Sequence, residues 1–90
     1  MKIDCLGKYS TRNNRIVIIN KIRDEDVPRF SEGKPIVVTE TRAYGLLLNA
    51  GESEGLGRGE LNFWRAGSGG YGPNEGIGHA YDIVALIEAR

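Results

Sequence analysis

The chain has 90 residues, of which 40% are apolar and 27% charged; twelve Lys and Arg balance twelve Asp and Glu, so the net charge is zero. That length allows one small domain, residues 1–90, and the balance excludes a uniformly basic nucleic-acid binder or an acidic nucleic-acid mimic. One Cys and one His exclude a disulfide scaffold and argue against a structural zinc site.

In chain order, the opening residues carry one Lys and no long apolar run, so they do not read as a secretory signal. Ile3, Cys5 and Leu6 give a short, imperfectly alternating start. Residues 9–22 read as a β-hairpin. Asn13 and Asn14 suit its tight turn because Asn tolerates left-handed backbone angles. Ile16, Val17, Ile18 and Ile19 are consecutive β-branched residues and suit a buried strand.

Asp24-Glu25-Asp26-Val27-Pro28 reads as a solvated turn, since adjacent acids followed by proline break a strand pattern. Ser31-Glu32-Gly33-Lys34-Pro35 reads as a second turn. Between these turns only Val27 and Phe30 are expected to touch the core. Ile36-Val37-Val38-Thr39-Glu40-Thr41 is the next strand. Residues 43–50 fit either its extension or a short helical turn.

The second half is glycine-rich: ten of residues 51–78 are Gly, and such a stretch loses much entropy on ordering. Residues 51–59 and 67–78 read as flexible loops. They flank Glu60-Leu61-Asn62-Phe63-Trp64-Arg65, a short strand with two aromatics. Phe63 and Trp64 must face opposite sides of that strand, so one enters the core. Residues 79–88 form a final strand by their β-branched centre, with a helical alternative over residues 85–90. Neither apolar run, 16–19 or 83–87, approaches the ~20 residues of a membrane-crossing helix. The lone thiol fits a reducing cytoplasm.

The expected fold is therefore mainly β, or α+β if a short helix forms. It has about five antiparallel strands in a small open barrel or rolled sheet. Its core draws on Ile16, Ile18, Val37, Phe63 or Trp64, Ile83 and Leu86.

Motifs with chemistry are sparse. Gly67-Ser68-Gly69-Gly70-Tyr71-Gly72 matches G-x-G-x-x-G, but no helix and second strand follow it, so no dinucleotide cofactor is expected. Its backbone amides suggest instead a cradle for a small anionic metabolite. Gly33-Lys34 lacks the rest of a phosphate loop. Cys5 and His79 stand in no recognisable nucleophile setting, so no catalytic residue, metal or cofactor is assigned.

Two binding constellations remain. Trp64, Arg65, Tyr71 and Tyr81 combine the residue types that dominate protein interfaces. Lys8, Arg12, Arg15, Lys21 and Arg23 make the first hairpin basic, in a chain whose residues 1–42 carry nine cations and six acids. These suggest nucleic-acid binding as the alternative. Free strand edges also leave room for pairing with a second copy.

A compact hairpin runs through Thr11-Arg12-Asn13-Asn14-Arg15. An aromatic strand, Phe63-Trp64-Arg65, lies between glycine-rich loops, and an apolar segment over 83–87 follows. This build resembles small phage and prophage proteins of unassigned function, some of which inhibit host defence systems. The resemblance implies a mobile-element origin; with no catalytic motif in the chain, the expected function is that of a non-enzymatic accessory protein. Such a protein binds and modulates a host protein in the bacterial cytoplasm, with inhibition of a defence system of the CRISPR type as one version. It carries no residue roles with it.

Overall fold

Turn chemistry sets the first pair of strands. In the computed structural model, which describes residues 1–49, 51, 59–72 and 78–90, β1 (Gly7–Thr11) and β2 (Ile16–Ser31) form an antiparallel hairpin. Asn14 takes the left-handed conformation at φ 63°. Thr11 braces the turn from inside: its hydroxyl donates to Asn13 Oδ1 and accepts from Arg15 N at 2.9 Å.

β2 then pairs with β3 (Lys34–Leu47) in a much longer hairpin. The turn expected at 24–28 is absent, and the strand runs straight through it to Ser31. The reason lies across the ladder. Thr41 and Thr39 donate their hydroxyls to Asp24 and Asp26, and Arg42 pairs with Glu25. Cross-strand partners of this kind outweigh the weak intrinsic strand preference of Asp and Glu.

Pro28 is tolerated by position. The chain reverses at Glu32-Gly33, both at positive φ (52° and 76°), as a two-residue type I′ turn demands. Ser31↔Lys34 closes the ladder, so the alternate rungs Phe30↔Pro35 and Pro28↔Val37 are the non-hydrogen-bonded ones. Neither proline costs the hairpin a ladder bond, because each points its missing donor at an unpaired edge.

β4 (Glu60–Arg65) pairs with β3, whereas β5 (Ile83–Ala89) returns to pair with β1. The result is one open antiparallel sheet of order β4-β3-β2-β1-β5. It is not closed into a barrel, and the described residues contain no helix. The helical alternatives give way to strand through Leu47 and Ala89. The loop expected over 51–59 lies largely outside the described residues.

One face of the sheet is covered. Residues 1–6 form no strand and cross this inner face, with Ile3 buried and its N–H donating to Ala66 O at 2.6 Å. Residues after β4 cover it from the other side. Beneath them Tyr9, Val17, Ile19, Leu47, Trp64 and Ile83 make the core, with Ala43 and Ala66 between. Of the two aromatics on β4 it is Trp64 that enters, opposite Ala43. Ile18 is buried as expected, but Val37 (70% exposed) and Leu86 (42%) are not core residues. Val37 lies where no described residue covers it, and Leu86 is on an edge strand.

Beyond Arg23 and Arg42, β2 and β3 leave the sheet as a two-stranded arm, which stretches the molecule to 45 × 23 × 21 Å. Where the arm joins the body a bulge interrupts the register at Asn20. There β2 and β3 approach so closely that a Cβ on Gly45 would sit 2.1 Å from Ile18 O.

Tyr9 is the buried polar anchor of the core. Its hydroxyl donates to Cys5 O at 2.6 Å and lies 3.3 Å from Cys5 Sγ. Burial, reinforced by the neighbouring thiol, pushes the phenol up from 10.0 to about 12. A folded-state value above the unfolded one means stability that is complete below pH 10 and lost as pH rises towards 12. In an alkaline absorbance titration one of the four tyrosines should therefore ionise last, together with unfolding. Four tyrosines titrating together near their ordinary value would contradict this.

Candidate functional site

After β4 the chain turns and returns along the strand's outer edge. Arg65 N donates to Gly70 O (2.9 Å), Gly72 N donates to Phe63 O (2.8 Å), and Tyr71 bridges to Trp64. The part of the 67–78 loop that is described is thus a hydrogen-bonded return rather than a loose loop; residues 73–77 lie outside the described residues. Its amides are already used. Ser68 N and Gly69 N donate to Arg65 O, Gly70 N to Ser68 Oγ, and Tyr71 N to Asp82 Oδ1 at 2.8 Å. The expected anion cradle is therefore corrected: the amides of residues 68–72 already donate within the protein, and a buried carboxylate stands beside them.

This return gathers aromatic rings at one end of the sheet. Tyr71 stacks on His79 with ring centroids 4.7 Å apart and meets Tyr81 edge-on at 5.4 Å. His79 Nδ1 accepts from Tyr81 N at 3.0 Å. Arg15 lies over the Tyr81 ring at 5.0 Å and donates to its hydroxyl at 3.0 Å. Asp82, buried beneath, ties Tyr71 N to Arg12, whose guanidinium is 3.7 Å away.

The four residues singled out for protein contact therefore separate. Tyr71 and Tyr81 are half-buried on this end, and Trp64 lies wholly beneath them, its indole N–H donating to Tyr81 O at 2.8 Å. Arg65 leaves β4 on the opposite face, pairs with Glu40 at 3.4 Å and reaches round the edge to Tyr71 O and Gly72 O. The basic set separates too. Arg12 and Arg15 belong to the aromatic end, with Arg15 also donating to Leu48 O. Lys8, Lys21 and Arg23 stand on the outer face of the sheet, opposite Ile18, Tyr44 and Arg42 respectively.

That outer face is laid out in rungs across three strands. Lys21, Tyr44 and Phe63 make one rung; Arg23, Arg42 and Arg65 make the next; Glu25 and Glu40 follow. Guanidiniums sit on the rings: Arg23 is 4.8 Å from the Tyr44 centroid and Arg42 is 4.2 Å from that of Phe63. Arg42 also bonds Glu40 at 2.8 Å, and Arg23 pairs with Glu25. Tyr44 donates its hydroxyl to Glu25. That hydrogen bond, with Arg23 and Arg42 beside it, holds the Glu25 carboxyl below its usual value. A groove of about 260 Å³ opens beside these rungs, lined by Asn20, Tyr44, Gly45, Leu61, Asn62 and Phe63. Tyr44, Arg42 and Leu61 were not singled out from sequence, and Phe63 only as the alternative to Trp64 for the core. Strict alternation along β3 and β4 is the signal that places them on one face.

The arm's inner face continues the core face past the end of its cover. It carries Asp24 and Asp26 near the body, then Pro28, Phe30, Pro35 and Val37 at the tip, all exposed. Phe30 is 82% exposed rather than in the core, whereas Val27, on the other face, is buried.

No helix of the described residues is long and apolar enough to cross a membrane. Comparison with protein-family models, with curated proteins and with solved structures finds no match.

Proposed function

We propose that the chain is a non-enzymatic binding protein that engages a protein partner through the inner face of its β2–β3 arm. One observation carries the reading: Phe30 and Val37, 82% and 70% exposed, stand with Pro28 and Pro35 on a projecting hairpin. Apolar surface gathered in one place on a small chain marks an interaction site more often than scattered apolar residues do. A Phe held out on a hydrogen-bonded hairpin is an anchor that loses little entropy on docking. The resemblance to small phage and prophage proteins supplies the setting. The partner in this reading is a bacterial host protein in the cytoplasm, and a component of a defence system is one such target.

The test is a tagged pull-down from nuclease-treated bacterial lysate, read by mass spectrometry, comparing the natural chain with Phe30→Ser and Val37→Thr. These side chains touch little of the fold, so stability should stay within about 0.5 kcal/mol. One host protein recovered in near-equal amount by the natural chain, and lost with both variants, is the expected result. Equal recovery by the variants would refute the arm. Loss on Tyr81→Ala instead would move the contact to the aromatic end.

A further inference from the structure

The outer face of the sheet is a different surface from the arm's inner face, and its chemistry is different. We propose that it binds single-stranded nucleic acid: an unstacked base enters the groove walled by Tyr44, Leu61 and Phe63, and phosphates follow Lys21, Arg23 and Arg42.

Three observations meet here. First, the groove lies on the face of an antiparallel sheet opposite the core cover, and its walls are apolar. Leu61 is 78% exposed, and the Tyr44 and Phe63 rings lie 6.0 Å apart with planes opened by 40°. At about 260 Å³ it is below the range of drug-sized pockets and suits one planar group. Aromatics on neighbouring strands of an open sheet are how proteins stack splayed bases without reading a duplex.

Second, charge is segregated although the chain is neutral. The described outer-face side chains are seven cations (Lys8, Lys21, Arg23, Arg29, Lys34, Arg42 and Arg65) and three carboxylates (Glu25, Glu40 and Glu88). The arm's inner face carries Asp24 and Asp26. A polyanion is thus favoured on the outer face and repelled by the inner one.

Third, the arginines are pre-positioned. Arg23 and Arg42 are laid on the aromatic rings and steadied by Glu25 and Glu40. A guanidinium has five N–H donors in a fixed fork, so these pairs leave donors for phosphate oxygens.

The test is fluorescence anisotropy with the full chain and three labelled probes of one mixed sequence: single-stranded DNA, single-stranded RNA and the DNA duplex. Saturable binding of a single strand is expected, at least tenfold tighter than the duplex and weakening as salt rises. Phe63→Ala and Leu61→Asp should each weaken it about tenfold, the size of losing one stacked base. Leu61→Asp guards against misfolding, because that side chain is already in water. Phe30→Ser should change nothing, which separates this site from the arm. No anisotropy change with either single strand overturns the proposal. So does equal affinity for the duplex, or binding unaffected by both groove variants.

Discussion

Trp64→Ala should leave most of the chain unfolded at ordinary temperature. Trp64 is the largest fully buried side chain. It lies opposite Ala43 on β3, against the Tyr71 ring at 5.9 Å, and its indole N–H satisfies Tyr81 O at 2.8 Å. Truncating a buried aromatic to Ala costs about 3–5 kcal/mol, and an orphaned carbonyl adds roughly 1–3 kcal/mol. A domain of this length holds only about 5–13 kcal/mol in all. Thermal melts followed by circular dichroism should show the midpoint falling by roughly 15 °C or more, or no transition. Trp64→Phe keeps an aromatic ring but loses the N–H donor to Tyr81 O, and should fall between. A Trp64→Ala midpoint within a few degrees of the natural chain would remove Trp64 from the core.

Gly45→Ala should also destabilise the chain strongly, though less than Trp64→Ala, for a reason that has nothing to do with lost contacts. The new methyl would meet Ile18 O at 2.1 Å, Ile18 C at 2.8 Å and Ile19 Cα at 3.0 Å. All three are backbone atoms, so no side chain can swing aside and β2 must move. The displacement falls beside the bulge at Asn20 and opens the ladder where the arm meets the body. Forced overpacking costs about 1–3 kcal/mol and occasionally more, and the upper end is expected where the obstacle is backbone. Gly67→Ala is the control: nothing lies within 4 Å of its Cβ, so it should be neutral or stabilise by up to about 1 kcal/mol. Urea midpoints compare the two. Equal midpoints for Gly45→Ala and the natural chain would mean that β2 and β3 lie further apart than described.

The strand class was legible because β-branched runs at 16–19 and 36–38 admit little else, and Asn13-Asn14 and Glu32-Gly33 mark their turns chemically. The arm was not legible. Asp24-Glu25-Asp26 and Pro28 are turn signals when judged against their neighbours in sequence. Their partners, Thr41, Arg42, Thr39 and Val37, lie 9 to 17 positions away, and only the register reveals that Pro28 faces an empty edge. The same gap hid the outer face. Phe63 and Trp64 had to part, but which entered the core depended on Ala43 leaving room opposite Trp64. The burial of Tyr9 was not legible either, since nothing local says that residues 1–6 fold back over it.

The strand order also has a kinetic consequence. β2 and β3 meet through a two-residue turn, so their hairpin closes early and cheaply. β5, by contrast, must find β1 with Thr11↔Ile83 and Gly7↔Ala89 as partners, across nearly the whole chain. Non-local pairing of this kind slows folding, because loop-closure entropy is lost before contacts form. On a ribosome, β1 waits with one bare edge until residues 83–89 have emerged. The arm, local in sequence, needs none of those residues in order to zip.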